Sequence, residues 1–192
     1  MRVIAGAAGG IRLEVPKSEV RPTMDRVKAA IFSSLGDLVV GARVLDLFAG
    51  TGALGIEALS RGAASALFVE ENSAALTAIE RNLSRTKMDG RLCRQDVFAF
   101  LGVATGRDPF TIIFADPPYE KTKSGAAFTD LLISDARLPH LLDPAGVFVL
   151  EKFPGETMPS LARWNVTRAK TYGATEVLFL RRADVSVQVP TA

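Results

Sequence analysis

RVLDLFAGTGALG, residues 43–55, is the stretch of sequence that decides the fold. Its first part, Arg43–Phe48, is a short apolar run typical of a buried strand. Three glycines follow at the spacing G-x-G-x-x-G, namely Gly50, Gly52 and Gly55. Glycines at this spacing permit a tight turn from a strand into a helix, and they let a ligand approach the backbone at the helix N-terminus. The stretch therefore predicts a strand, a ligand-binding turn and a helix in direct succession.

Strands and helices are predicted to alternate along the rest of the chain. After a helix over 53–61, we expect strands over 65–70, 91–95, 111–115 and 147–152, and helices over 73–85, 97–101 and 126–142, the last broken near Pro139. Two closing strands, 164–172 and 175–182, flank Gly173. This alternation predicts an α/β fold in which a mostly parallel sheet has helices on both faces.

The first 40 residues follow a different pattern. Residues 2–5 and 11–15 are extended around a glycine-rich turn and predict a hairpin. Val27, Ile31 and Leu35 recur at helical spacing, which predicts a helix over 24–35. We therefore expect a small N-terminal extension over 1–40, a main domain over 41–183 and a loose tail over 184–192.

The composition limits the classes of function. The chain has 192 residues, 48% of them hydrophobic, which is enough for one domain with a full core. One cysteine and one histidine exclude an internal disulfide and a metal site built from several such ligands. No apolar run reaches a membrane-spanning length and no secretory signal opens the chain, so we expect a cytoplasmic protein. The net charge of +2 does not by itself indicate a nucleic-acid partner.

Acidic residues at the ends of predicted strands indicate a cofactor site. Glu70 lies 20 residues after Gly50, where a carboxylate can accept hydrogen bonds from the ribose of an adenosine. Asp46 lies inside the first strand, where a carboxylate without a partner would be costly but could reach an ammonium group. Asp96 follows the third strand and either accepts from an adenine or caps the next helix. A nicotinamide dinucleotide and S-adenosylmethionine both fit this pattern. The predicted cofactor contacts are Asp46, Phe48, Gly50, Gly52, Glu70, Asp96, Val97 and Asp116.

The most informative tetrad is Asp116-Pro117-Pro118-Tyr119, at the end of the fourth strand. Two prolines stiffen the loop, so it can direct the Asp116 carboxylate and the Pro117 carbonyl at one point. Two acceptors that converge on an NH2 group would hold a planar amine in line with an electrophilic methyl group. Tyr119 offers a ring on which an extruded base can stack. Asp116, Pro117 and Tyr119 are therefore the predicted catalytic residues.

Taken together, the stretch 45–55, Glu70, Asp96 and the stretch 116–119 resemble the class I, Rossmann-like amino methyltransferases. A narrower resemblance lies in 21–23, 25–27 and 49–63: these stretches are similar to the bacterial guanine-N2 methyltransferases of small-subunit (16S) ribosomal RNA. The resemblance implies a seven-stranded sheet with an antiparallel last strand and S-adenosylmethionine as methyl donor, with no metal. It also implies a guanine in 16S rRNA as target, within an assembling small subunit.

Contacts to RNA phosphates are expected from basic residues near the N-terminus, namely Arg12, Arg21, Arg26 and Lys28, with Tyr119 on the target base. The chain departs from the family pattern in the opening hairpin, where Gly9 and Ile11 stand in place of two usual arginines. We expect a monomer, because nothing in the sequence indicates an obligate oligomer.

Other functions remain open from the sequence alone. A DNA adenine-N6 methyltransferase or another amino methyltransferase would use the same tetrad, although this chain has no room for the extra recognition domain that DNA enzymes usually carry. An NAD-dependent oxidoreductase would use Gly50, Gly52, Gly55 and Glu70 but leave the tetrad without a role. A non-catalytic RNA-binding module would need neither set of residues.

Overall fold

The computed structural model describes residues 1–15, 23–105, 108–118 and 127–183. Six helices and seven strands follow one another in these ranges. They are α1 (Thr23–Leu35), β1 (Arg43–Leu47), α2 (Ala53–Ser60), β2 (Ser65–Glu70), α3 (Ser73–Thr86), β3 (Arg91–Arg94), α4 (Val97–Val103), β4 (Phe110–Ala115), α5 (Phe128–Ser134), α6 (Leu138–Leu141), β5 (Leu142–Lys152), β6 (Trp164–Tyr172) and β7 (Thr175–Arg182), with a 3-10 turn over Gly36–Val39. The predicted alternation of strands and helices is confirmed.

The seven strands form one sheet in the order β3-β2-β1-β4-β5-β7-β6. Strands β1 to β5 are parallel to one another, and β7 runs antiparallel to both β5 and β6. The sheet therefore has the antiparallel last strand that the resemblance implied. The strand order reverses beside β1, between β1 and β4, and ligands of open α/β sheets bind at such a point, outside the carboxyl ends of the strands.

Side chains alternate between two core layers, one on each face of the sheet. The first face, packed by α1, α2 and α3, includes Phe68 and Phe114. The second face, packed by α4, α5 and α6, includes Leu47 and Phe148. Burial on both faces explains why the central strands are almost uniformly apolar in sequence.

The helix predicted over 126–142 is broken into two short helices, as expected. The break falls at 135–137, however, rather than at Pro139. Asp135 causes it, because its Oδ1 accepts from the backbone N–H groups of Arg137, at 2.7 Å, and Leu138, at 3.3 Å. Pro139 lies in the first turn of α6. A backbone N–H has no partner within the helix at this position, so proline is tolerated there. Strand β5 also begins at Leu142, five residues earlier than predicted, since Leu142 pairs with Phe110.

The N-terminal segment is joined to α2 through polar groups. Strand-like pairing of Arg2 with Arg12 gives the predicted hairpin. The Glu57 carboxylate, fully buried on α2, accepts from the amides of Ile4 at 2.7 Å and Ala5 at 3.1 Å. It also pairs with Lys28 of α1 at 3.3 Å. One carboxylate thus holds the hairpin and two helices together.

Two further predictions concern the N-terminal segment and the C-terminal tail. Val3, Ala8 and Leu13 of the hairpin belong to the core layer of the first face, so the hairpin packs directly on the main domain. The predicted tail, 184–192, lies outside the described residues. Within those residues, no helix has both the length and the apolar character needed to cross a membrane.

Gly6 and Gly10 provide a matched test of this hairpin contact. Both have similar positive φ angles, +83° and +85°, so alanine is similarly strained at either position. A Cβ at Gly6 would overlap the carbonyl oxygen of Ser60, whereas at Gly10 it meets nothing within 4 Å. We expect Gly10→Ala to lower the free energy of unfolding by about 1 kcal/mol and Gly6→Ala by about 2 kcal/mol more. Denaturant titration of both variants measures the difference, and equal losses would show that the hairpin does not rest on α2.

Candidate active site

A cavity of about 480 Å³ lies at the carboxyl ends of the central strands. Most of the predicted cofactor and catalytic residues line it together: Asp46, Phe48, Gly50, Glu70, Asp96, Val97, Asp116 and Pro117. They come from the ends of β1, β2, β3 and β4, which meet at one edge because these strands are parallel. The structure thus brings predicted residues up to 71 positions apart in the chain around a single space.

The turn after β1 uses its glycines in different ways. Gly50 and Gly52 have φ angles of +53° and +74°, which strain any residue with a side chain. Gly50 lines the cavity, but Gly52 is not part of its wall and instead precedes α2. Gly55 has no room for a side chain, because a Cβ there would collide with the ring of Phe68. The predicted ligand approach therefore applies to Gly50, while Gly52 and Gly55 allow α2 to pack closely.

Phe48 adopts a φ of +55°, which is uncommon for a residue that is not glycine. Its ring makes edge-on contacts with Phe98 and Phe128, at centroid distances of 6.3 Å and 5.7 Å. Such strain persists only where the surroundings hold the backbone, and it concentrates at ligand sites. The three rings thus support one side of the cavity, to which Phe48 and Phe128 contribute directly.

Asp46 is a buried carboxylate that faces the cavity, with 3% of its surface exposed. Its Oδ2 accepts from the Gly55 amide at 2.9 Å. Burial raises the pKa of Asp46 to about 8, and the negative charges of Asp116 and Glu70 act in the same direction. None of the ion pairs within the described ranges involves Asp46. A positively charged ligand group in the cavity would offset this cost.

Glu70 is held at the end of β2 by two backbone amides. Its Oε2 accepts from Gly50 at 2.9 Å and its Oε1 from Asn72 at 2.9 Å. Each carboxylate oxygen has a second lone pair, so a bound diol could still donate to this group. The contact also couples Glu70 to the turn after β1, which fixes the carboxylate relative to the rest of the cavity.

Asp96 caps a helix and also lines the cavity. Its Oδ1 accepts from the Ala99 amide at 2.8 Å and caps the N-terminus of α4, which confirms the cap. The residue is exposed and also lines the cavity. Because the cap uses only Oδ1, the Asp96 carboxylate can still accept a hydrogen bond from a ligand.

Asp116 directly follows β4, and it lines the cavity together with Pro117 and Pro118. Pro117 is buried and Pro118 is exposed, so the loop turns outward after its first proline. Tyr119, the fourth residue of the tetrad, lies outside the described residues. The structure therefore places Asp116 and Pro117 at the cavity, and the role of Tyr119 stays a prediction.

Glu151 is a cavity residue that the sequence analysis did not select. The register pairs Ala115 with Leu150, so Asp116 and Glu151 are neighbours at the ends of β4 and β5. Burial raises the pKa of Glu151 well above its usual value, and the charges of Asp116 and Asp46 add to this. An acid within an apolar strand was the signal that singled out Asp46, and the same signal is present in residues 147–151, VFVLE.

Three further parts of the wall come from distant elements. Met1 and Val27 contribute from the N-terminal segment and α1, and Tyr172 and Thr175 from the turn between β6 and β7. No local pattern marks these residues as site residues, because only the tertiary arrangement brings them to the cavity.

The predicted phosphate contacts divide into three groups. Arg12 and Arg26 are exposed, as such contacts require. Arg21 lies outside the described residues. Lys28 corrects the expectation: it is 3% exposed, pairs with Glu57 and donates to the Arg2 carbonyl at 2.6 Å. Burial lowers the pKa of Lys28, and a phosphate contact would require it to leave this pair.

The Asp46 carboxyl should make stability depend on pH. Because its pKa is raised in the folded state, the folded protein binds more protons than the unfolded chain between about pH 4 and the folded value of about 8. Its stabilising contribution is therefore full below about pH 4 and is lost as pH rises through about 8. Asp46→Asn keeps an acceptor for Gly55 and cannot ionise.

We expect the free energy of unfolding of the wild type, relative to Asp46→Asn, to fall by at least about 2 kcal/mol between pH 5 and pH 8. Urea titrations of both proteins without ligand at several pH values measure this difference. A constant difference would show that Asp46 ionises in the folded state as it does in water.

Comparison with known proteins identifies the family of the chain. A family model described as Conserved hypothetical protein 95 matches residues 1–181. YlbH of Bacillus subtilis (strain 168) is 37% identical over 187 residues, which cover 95% of this chain and 99% of that protein. Ribosomal RNA small subunit methyltransferase D of Escherichia coli (strain K12) is 35% identical over 175 residues, covering 90% and 85%.

Solved structures give the same result. A hypothetical protein of Thermus thermophilus superposes with a TM-score of 0.78 at 30% identity, over 95% of this chain and 99% of that chain. The resemblance stated from the sequence is thus confirmed, and the fold is that of the Rossmann-like methyltransferases. The chain belongs to the Conserved hypothetical protein 95 family, the family of ribosomal RNA small subunit methyltransferase D.

Proposed function

We propose that this protein transfers a methyl group from S-adenosylmethionine to the exocyclic N2 amine of a guanine in small-subunit ribosomal RNA. The observation that carries the proposal is the single cavity in which Asp46, Glu70 and Asp96 lie beside Asp116. The first three suit a cationic adenosine-containing ligand, and Asp116 with Pro117 suits an amine. The names of the relatives supply the RNA class.

The residues of the cavity fit S-adenosylmethionine. Asp46 would face the ammonium group of its methionine part, because a nearby cation offsets the burial that now disfavours the charged carboxylate. Glu70 would accept from the ribose hydroxyls and Asp96 from the adenine amine. When bound, this donor supplies a methyl group on a positively charged sulfur, which makes the carbon a ready electrophile.

A dinucleotide fits the same cavity poorly. The Gly50 amide, which a pyrophosphate would use in this kind of turn, already donates to Glu70 at 2.9 Å. Asp46, Asp116 and Glu151 would also face the phosphates with carboxyl groups. These contacts favour a cation over an anion and argue against the oxidoreductase alternative.

The role of Asp116 would be to orient the target. The carboxylate and the Pro117 carbonyl would each accept one N–H of the exocyclic amine, so that the nitrogen lone pair faces the methyl group. Nitrogen attacks the carbon as the carbon–sulfur bond breaks, and the extra proton then leaves the positively charged nitrogen to solvent. Positioning and electrostatic stabilisation thus account for the rate enhancement, and Asp116 need not be a strong base.

Contacts outside the cavity complete the proposal. Arg12 and Arg26, both exposed, would hold RNA phosphates, and Tyr119 would stack on the target base. Arg21 belongs with them by sequence, and Lys28 does not, since it is buried against Glu57. We propose a monomer acting in the cytoplasm on an assembling small subunit.

The product of the reaction tests the function directly. Small-subunit particles from a strain that lacks this enzyme should accept radiolabelled methyl groups from S-adenosylmethionine when the purified protein is added. Nucleoside analysis of their RNA should yield N2-methylguanine. N6-methyladenine in a DNA substrate, with no product in the particles, would instead support the DNA adenine alternative.

Substitution of Asp116 tests the mechanism in the same assay. Asp116→Ala should lower the rate by about 100- to 1,000-fold, which corresponds to about 2.7–4 kcal/mol of transition-state stabilisation. Asp116→Asn keeps one acceptor oxygen and should lose less.

Asp108→Ala is the matched control, because Asp108 is an exposed acid that precedes β4 at the opposite end of the strand. It should methylate at the wild-type rate. Wild-type activity of Asp116→Ala would exclude the proposed role of the carboxylate.

A further inference from the structure

Strand β6 forms one edge of the sheet and is open to solvent on both faces. Among the strands that the structure describes it pairs only with β7, and residues 165–171 are all exposed. The strand, Trp164–Tyr172, contains Arg168 and Lys170 and no acidic residue. An exposed edge strand with two positive charges is available to a negatively charged partner.

The register shows which way these side chains face. Arg168 pairs with Phe179, and Lys170 pairs with Val177. Residues directly opposite each other in a ladder point to the same face of a sheet. Phe179 and Val177 belong to the core layer of the first face, so Arg168 and Lys170 extend from that face. Tyr172, two residues further on, packs against the same layer.

The strand leads to the cavity. Because β6 runs parallel to β1 and β4, its carboxyl end lies at the cavity edge of the sheet, where Tyr172 lines the wall with Asp116. At about 3.3 Å per residue, Lys170 lies about 7 Å and Arg168 about 13 Å from Tyr172 along the strand. We call Arg168 and Lys170 the β6 basic pair.

The N-terminal side of the cavity carries its own cations on the same face. Met1 and Val27 line the wall there, next to the hairpin and α1 that present the exposed Arg12 and Arg26. The mouth of the cavity therefore has basic side chains on two sides, with acidic groups inside. A polyanion carrying a neutral base fits this distribution, because the base enters while the phosphates stay outside.

We propose that the β6 basic pair binds backbone phosphates of the RNA strand next to the target base, opposite the N-terminal contacts. The inference rests on the proposed function, which supplies the RNA. The competing explanation is that the two charges only prevent edge-to-edge pairing of β6 with another copy of the chain.

The double variant Arg168→Glu/Lys170→Glu tests the pair. Its matched control is Arg91→Glu/Arg94→Glu, which makes the same charge change at two exposed residues of β3, the opposite edge of the sheet. The probe is a labelled single-stranded RNA of about 20 nucleotides, with binding measured by fluorescence anisotropy over a range of salt concentrations. Far-UV circular dichroism and the affinity for S-adenosylhomocysteine check the fold and the cavity.

We expect the β6 double variant to bind the probe at least 10-fold more weakly at low salt. The slope of log affinity against log salt should decrease by about 1.4, since each lost phosphate contact on a single strand contributes about 0.7. With small-subunit particles, the loss should appear in KM rather than in kcat. The β3 control should retain more than half of the wild-type affinity.

Two results would overturn the inference. Equal weakening by both double variants would mean that only the total charge matters. Unchanged RNA binding by the β6 double variant, with self-association of an uncharged Arg168→Ser/Lys170→Ser variant in size-exclusion chromatography, would assign the charges to edge protection. The proposed function fails separately: a wild type that binds RNA with the expected salt slope, but forms no N2-methylguanine, would leave the β6 basic pair in place and exclude guanine-N2 methylation.

Discussion

The hydrogen bond from the Gly55 amide to the Asp46 carboxylate fixes where helix α2 begins on strand β1. The close approach is possible because Gly55 has no side chain to meet the ring of Phe68. The chain between the two partners must then turn sharply, and the turn directs the Gly50 amide at Glu70. Carboxylates on two adjacent strands are therefore held by one short loop, and the geometry of the whole cavity follows from this constraint.

The fold and the centre of the site could be predicted because each depends on local sequence. A buried strand followed by Gly50 and Gly52 has few structural alternatives, and acids at strand ends converge wherever the strands are parallel. Local patterns predict a helix end less accurately where side-chain hydrogen bonds to the backbone determine it. Asp135 is such a case, because its carboxylate accepts from the following amides and ends α5 before Pro139.

The remaining parts of the site depend on tertiary contacts that no sequence pattern encodes. Tyr172 reaches the cavity because β6 runs parallel to β4 and ends at the same edge of the sheet, and Met1 because Glu57 holds the hairpin on α2. The same contact removes Lys28 from the surface, although its position in the sequence resembles that of Arg26. A basic residue close in sequence to exposed basic residues can thus have a structural role. Only the position of its acidic partner in the fold distinguishes that role from a contact with RNA.

The reversed direction of β7 places the two-residue turn over 173–174 at the same edge of the sheet as the glycine turn after β1. This hairpin is remote in sequence from the glycine turn, and its two strands lie at the opposite end of the sheet from β2 and β3. Insertions here would enlarge the rim of the cavity while leaving the donor half intact. The length of this one hairpin can therefore alter the shape of the cavity rim without any change in the glycine turn.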